Sequence, residues 1–549
     1  MALTKVHNRL IAGSSANVLD YGADDTGSAD CTTAIQSAFD ANLGEVYFPA
    51  GTYRFGSISV TNPVRVIGAK NSKIIPNLGL TGGELFSIET DNVTVEGLTI
   101  DATGETFTPA TGNTYIFLSG TSSGPRYKNH TFIRNTILNA SFSDGNPLLS
   151  GTNLIVTHGF YIQDIDNVLI EGNYINTLSG ACVFVRDVSG IRVINNRWQN
   201  NSWYTVNLAS DVKHFTISNN EFISATTDGV YWGGAVNIVS DVGYERIEHG
   251  EIVNNYFSGK YSYGAVIRLQ SVVNVCVQNN KISGIDNTAL GSEITGIAVT
   301  TRGTSSSNKN SPSENVRIIG NYLEGPTNIT NTTGRQRAMF INNQWWPARN
   351  PAKNVEVSGN IINSSSSTLF WDEGITFHGF NGGFENIIVE NNFVKINPDR
   401  SPVVGGAVGT LASSSNGLID RFLVGGNYLE SILSPTSSYQ IGISIGAYTD
   451  NVISTKMNLI DNFYYGVRTF TNSGPTLIGL DNQNFQTNTN DRLFGVGLDL
   501  YGSFLWAPSG ASDPALNEEV VLKRINDTTL RVLMKGSDGT VRSSDLTLS

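Results

Sequence analysis

One short pattern recurs through the middle of this 549-residue chain and limits what the chain can fold into. It reads Asn or Asp, Val, any residue, Ile or Val, two further residues, Asn, an aromatic or aliphatic residue, then Ile or a similar side chain. NVLIEGNYI starts at Asn167, NVCVQNNKI at Asn274, NVRIIGNYL at Asn315, NVEVSGNII at Asn354 and NIIVENNFV at Asn386. GIRVINNRW, HFTISNNEF and HGEIVNNYF are looser copies. Each copy is two short alternating apolar segments joined by a bend. The bend carries asparagine, in the series Asn135, Asn173, Asn196, Asn220, Asn255, Asn280, Asn321, Asn360, Asn392, Asn427 and Asn462. The spacing varies from roughly 20 to 40 residues, as in a solenoid whose coils carry insertions. Asparagine tolerates a left-handed bend. Its amide can also bond to the equivalent residue one coil up and one coil down, which satisfies buried backbone groups at a corner.

A third apolar segment precedes each copy, as in ACVFVRD, YTVNLAS, AVNIVSD, AVIRLQS, GIAVTTR, AMFINNQ and GITFHGF. Three stacked strands per turn predict an all-β fold, a single-stranded right-handed parallel β-helix. The runs are short, β-branched and punctuated by Gly and Asn, which argues against helices. The one helical pattern spans residues 31–42, where Ala34, Ile35, Ala38 and Phe39 share a face and Ser28 or Asp30 can cap. It lies before the repeats, where a solenoid needs a cap. The expected organisation is a junction over 1–17, an opening motif and cap over 18–86, the β-helix over 87–505 and a β-rich closing segment over 506–549. Within the last, residues 522–548 alternate apolar and polar around a Ser-Asp-Gly turn.

Charge narrows the partners. The net charge is −12, so no nucleic acid is expected, because binding it needs a basic footprint. No apolar run approaches the length of a membrane-spanning helix, so no membrane partner is expected. The start, MALTKVHNRLIAGSS, lacks the apolar region of a secretory leader. Cys31, Cys182 and Cys276 are far apart and odd in number, which predicts reduced core thiols. No His/Cys cluster has metal-ligand spacing, and neither a metal nor a cofactor is expected.

The segment ANVLDYGADDTGSADCTTAIQSAFDA, followed by GEVYFPAGTYRF, resembles the opening motif of pectate-lyase-superfamily β-helices found in bacteriophage tailspikes. The preceding KVHNRLIAGSSANV looks like the junction after a virion-anchoring domain. NDTTLRVLMKGSDGTVRSSDLTLS looks like the end of capsule-depolymerising tailspikes, notably those of phages infecting Acinetobacter. The resemblance covers the two ends well and the middle in architecture only. It implies a homotrimer, attached to the phage tail or baseplate through its N-terminal region, that binds and degrades a bacterial surface polysaccharide. It also implies synthesis in the host cytoplasm and action from the virion tail at the bacterial surface. Asp24 and Asp25 match the motif, but Gly22 and Gly27 bracket them, which favours a turn role over catalysis.

Polysaccharide cleavage has two main routes. Hydrolysis needs one carboxyl that holds a proton for the leaving oxygen and a second that activates water or attacks. A lyase needs a base at C5 of a uronic acid and a cation to neutralise charge. The Asn-Thr-Asp, Asp-Asp and Arg-Ile-Lys signals of polygalacturonases are missing, as are the arginine motif and calcium aspartates of pectate lyases. Hydrolysis by a carboxylate pair leads by elimination. A lyase, a deacetylase and a non-catalytic adhesin stay open.

Alternation in GITFHG predicts Ile375 and Phe377 inside, with Thr376 and His378 outside. The same reading gives one outward row of Arg186, Asn207, Asn237, Arg268, Thr300, Asn342 and His378. Turns before these strands hold Asp228 with Trp232, Tyr261 with Tyr263, Glu293, Arg335 with Arg337, and Trp371 with Asp372 and Glu373. Acids supply proton transfer and aromatic faces hold sugar rings. Glu293 precedes Asp372 and Glu373 by two coils, roughly 10 Å of rise, within reach of an inverting pair. The expected catalytic set is therefore Glu373 or Asp372 with Glu293, and Asp228 more distantly. Arg268, Arg302, His378, Trp232, Trp371, Tyr263, Asn237 and Arg337 are the expected substrate contacts.

Overall fold

The computed structural model describes residues 15–77, 83–104, 113–121, 124–140, 156–201, 204–225, 234–240, 246–261, 264–286, 293–301, 312–327, 336–343, 351–366, 369–379 and 383–397. Beyond these it describes mainly the backbone of further strands up to residue 547. The strands stack as a parallel β-helix with three walls. One coil shows the plan: Val236–Val239 lies in wall 1, Ile247–Val253 in wall 2 and Tyr256–Lys260 in wall 3, after which Gly264–Gln270 begins the next coil. Wall 3 is a 16-stranded parallel sheet. Walls 1 and 2 share a 28-stranded sheet, because Thr157–Glu171 and Val183–Ile194 run from one wall into the other. Parallel pairing continues from Glu45–Phe48 through Val64–Gly68 and Val93–Glu96, so the stack already runs through the opening region.

The core consists of apolar residues stacked in register. Val236, Ile267, Ile297, Met339 and Ile375 form one column inside wall 1. Phe222, Phe257, Ile282, Leu323, Ile362 and Val394 form another inside wall 3. All are buried, so each coil covers the apolar face of the one before.

The corner between walls 2 and 3 is the asparagine ladder. From Asn135 to Asn392, each ladder residue donates its backbone N–H and its Nδ2 to Oδ1 of the next, as Asn255 does to Asn280 (3.0 Å each). Each also donates Nδ2 to a strand carbonyl, as Asn255 does to Ile217. One detail of the expectation changes. The left-handed residue is the one before the ladder asparagine: Asn195, Asn219, Asn254, Asn279 and Asn391, or Gly172, Gly320, Gly359 and Gly426. Asn462 lies outside the described residues.

The helix Thr32–Asp40 covers the open end. Cys31 is the N-cap residue and makes no side-chain capping bond; Asp30, one residue earlier, rather than Ser28, accepts from Thr32 N at 2.8 Å. Ile35, Ala38 and Phe39 are buried, and Phe39 packs on Phe86. Asp24 has the expected turn role: its carboxylate accepts from the backbone N–H groups of Thr26, Ser28 and Ala29, which holds its pKa well below the usual range. At the other end, Phe504–Ala507, Val520–Asn526, Thr529–Lys535 and Val541–Thr547 form a separate four-stranded sheet. The last two pair antiparallel around the Ser-Asp-Gly region. Cys31 and Cys182 are buried thiols; Cys276 is half-buried, and none is bridged.

Candidate active site on the first wall

Wall 1 presents two outward rows where one was expected. Asn207, Asn237, Arg268, Ala298, Phe340 and Thr376 are lateral partners in the first. Gln270, Thr300, Asn342 and His378 are partners in the second, two residues further along each strand. The single row fails because its members were taken from different positions along the strands.

The middle of the wall is a polar network. Asn237 Nδ2 donates to Asn207 Oδ1 at 2.9 Å. Arg268 donates from Nη1 to the Tyr204 hydroxyl (3.4 Å) and from Nη2 to Gln270 Oε1 (2.7 Å). Asn237 and Gln270 are 6% and 2% exposed. Asn237 Oδ1 and Gln270 Nε2 are buried with no hydrogen-bond partner among the described residues. Each such atom costs about 1–3 kcal/mol unless water or a ligand completes it.

Where the wall-1 strands start, Glu293, Arg337 and Glu373 form one ion-pair cluster. Arg337 donates Nε to Glu373 Oε2 (3.0 Å) and Nη1 to Glu293 Oε2 (2.9 Å). Thr376 Oγ1 donates to the same Glu373 oxygen at 3.1 Å. The Arg337 guanidinium lies 4.4 Å from the Phe340 ring centroid, and His378 meets that ring edge-on. The side chain of Glu293 is 52% exposed, that of Arg337 6% and that of Glu373 not at all.

Several expectations need correcting here. Glu373 is buried against Arg337 and Thr376, so its carboxylate is not presented to solvent. Asp372 is 1% exposed; its Oδ2 accepts from Gln336 N, and its own N–H donates to Gln336 O. It staples one coil to the next. Trp371 belongs to the core, with its indole N–H directed to Leu323 O at 3.4 Å. Tyr261 is also a core residue. Arg337 is held between two carboxylates. Ile375 and Phe377 are inside as expected, while Thr376 and His378 are buried despite their outward positions. Strict alternation breaks at Ala338 and Met339, both in the core, as it does at Val266 and Ile267. In sequence Trp371, Asp372 and Glu373 read as an open turn before the strand; Glu373 instead opens the strand Glu373–Gly379, and all three are buried. Asp228, Trp232, Tyr263, Arg302 and Arg335 lie outside the described residues.

The corner between walls 1 and 2 holds an acidic group that turn-based reading misses. Asp164, Asp187 and Asp211 stack in successive coils in the left-handed conformation, with φ of 55°, 52° and 51°. Burial, followed by a hydrogen bond to Asp211 and the nearby charges of Asp211 and Asp164, pushes the Asp187 carboxyl up to about 6. Arg186 opposes that rise. Next to this corner, Tyr161 stacks on Phe184 with centroids 4.8 Å apart. The signal was in the sequence: Asp followed by Val closes the wall-1 segment in both VRDV and ASDV. Among the described residues, no set of three His, Cys, Asp or Glu side chains converges as a metal site.

Residues 15–251 match the family model described as rhamnogalacturonase A/epimerase, pectate lyase-like. No curated protein matches the chain. Similar solved structures include the Streptococcus pneumoniae surface protein and adhesin PfbA (16% identity, TM-score 0.46, covering 85% of this chain and 99% of that one). The Azotobacter vinelandii mannuronan C-5 epimerase AlgE6 A-module has 16% identity and a TM-score of 0.43, covering 86% of this chain and 100% of that one. Tailspike protein 3 of bacteriophage CBA120 has 12% identity and a TM-score of 0.41, covering 96% of this chain and 68% of that one.

Proposed function

We propose that this chain is a polysaccharide depolymerase that lays an extended sugar chain along wall 1 and hydrolyses it beside the Asp164–Asp187–Asp211 corner. The observation that carries the reading is the pair of buried polar atoms, Asn237 Oδ1 and Gln270 Nε2, that have no partner among the described residues and lie beside Arg268 on the outward side of wall 1. An inert wall has no reason to keep them, whereas sugar hydroxyls both donate and accept. The family match over residues 15–251 supports a polysaccharide as the substrate class.

The chemistry follows from the raised acid. Protonated Asp187 donates to the departing glycosidic oxygen, Asp211 holds that proton in place through their hydrogen bond, and the attacking water releases its proton to solvent. Tyr161 and Phe184 offer ring faces to sugar units near the corner. A second reading keeps the acid pair at Glu293 and Glu373. It is favoured by the single guanidinium of Arg337 that holds both carboxylates. Homotrimer formation, attachment to a phage tail and a bacterial capsule or O-antigen as substrate belong to the same proposal and rest on the sequence resemblance.

The test is reducing-end release from purified capsular polysaccharide. Asp187→Asn and Asp211→Asn are expected to lose activity about 100-fold or more, with Glu293→Gln retaining it. The reverse pattern moves the acid pair to the second reading. Binding without new reducing ends identifies an adhesin and contradicts cleavage. Products absorbing near about 235 nm identify a lyase.

A further inference from the structure

A groove lies on wall 2, away from the network of Asn237 and Arg268. Its volume is about 820 Å³, within the range of ligand sites. Two rows define it. One is a ridge of left-handed residues at the start of each wall-2 strand; the other is the outward row two residues later.

The ridge is a second amide ladder with a gap. Asn129 donates to Asn92, and Asn167 to Asn129. On the far side, Asn315 donates to Asn274, Asn354 to Asn315 and Asn386 to Asn354. Between Asn167 and Asn274 the ladder residues are Gly190, His214 and His249, all at positive φ. The two imidazoles are exposed and stack with centroids 5.1 Å apart and 11° between planes. Gly190 is required: a Cβ there would approach Asn167 Oδ1 to 3.0 Å.

The outward row shows what the groove accepts. Arg65 and Arg317 occupy this row and are ion-paired, with Glu45 and Glu96 and with Glu356 respectively. Arg192 occupies it too, exposed, between lateral partners Leu169 and Thr216. Among the described residues Arg192 has no ion-pair partner. Its exposed guanidinium is placed to pair with an anionic group, and Glu251, the acid of the same row, lies one coil beyond Thr216. The small side chain of Thr216 keeps the floor open beside it.

We propose that this groove is a second, non-catalytic saccharide site for a sugar bearing a carboxylate. Arg192 pairs with the carboxylate, and the His214–His249 stack and the ladder amides bond the ring hydroxyls. The saccharide class rests on the polysaccharide reading above; the anion preference rests on Arg192 alone. The site holds a long polymer to the protein while wall 1 acts on another stretch, so it raises apparent affinity by multivalency.

The test uses hexagalacturonate as probe and maltohexaose as the neutral control, with calorimetry on the full chain. Hexagalacturonate is expected to bind about tenfold tighter than maltohexaose. Arg192→Ala is expected to abolish that preference, Thr216→Trp to block binding of both, and rising salt to weaken only the acidic sugar. Both side chains are at the surface, so unchanged thermal melting verifies folding of the variants. Equal affinity for the two sugars, or full binding by Arg192→Ala, overturns the proposal. So does a change in molar mass on Thr216→Trp without sugar binding by the parent, which marks the groove as a subunit contact. Failure of the wall-1 reading is separable: Asp187→Asn then still cleaves, or nothing cleaves, while the Arg192-dependent preference persists.

Discussion

His158 and Asp187 sit in neighbouring coils and respond to pH in opposite directions. His158 is 3% exposed and its Nδ1 accepts from Ala181 N–H, which requires the neutral ring. Burial lowers its pKa to about 4. Its contribution is complete above the unfolded value near 6.5 and is lost as pH falls toward 4, on the order of 3 kcal/mol. Asp187, raised to about 6, works the other way. Its contribution is complete below the unfolded value and is lost as pH rises through about 6. Denaturant unfolding between pH 4 and pH 7 should therefore show Asp187→Asn becoming progressively more stable than the parent as pH rises. A pH-independent difference would contradict the raised carboxyl. The aspartate corner was legible as Asp followed by Ile or Val recurring after the wall-1 segments. Its chemistry was not, because a raised pKa depends on stacking and burial that no single segment contains.

At the level of the strand, column packing matters more than any one residue. Inside wall 2, Phe215 and Gly250 are lateral partners between Ile191 and Val275. Phe215 fills the space that Gly250 leaves, and a Cβ on Gly250 would lie 1.9 Å from the Phe215 ring. Gly250→Val is expected to destabilise by about 2 kcal/mol or more through overpacking. Adding Phe215→Val should recover much of that loss, a coupling that a thermal or denaturant double-mutant cycle measures. Additive losses would show that the two sites are independent. The ladder asparagines were readable because one residue type recurs at one bend. Trp371 was not: it precedes the strand Glu373–Gly379 in what reads as a turn, and only the packing of neighbouring coils buries it.

Across the whole molecule, the repeat dictates the solenoid, while function depends on how each wall departs from it. Wall 3 is built of short, regular strands. Wall 1 keeps Asn237 Oδ1 and Gln270 Nε2 buried without partners among the described residues, its corner with wall 2 stacks three aspartates, and wall 2 interrupts an amide ladder with two histidines. Asn237 and Arg268 were legible as outward polar residues, since alternation holds at the middle of their strands. Glu293, Arg337 and Glu373 were legible as neighbours through coil counting, but not as one buried ion-pair cluster. The most direct test of the central claim is a crystal structure of Asp187→Asn with an oligosaccharide of the cleaved polymer. The account predicts sugar along wall 1, bonded to Asn237 and Arg268, with a glycosidic oxygen within hydrogen-bond reach of residue 187. Oligosaccharide seated instead on Glu293 and Arg337, with wall 1 beside Asp211 empty, would contradict it.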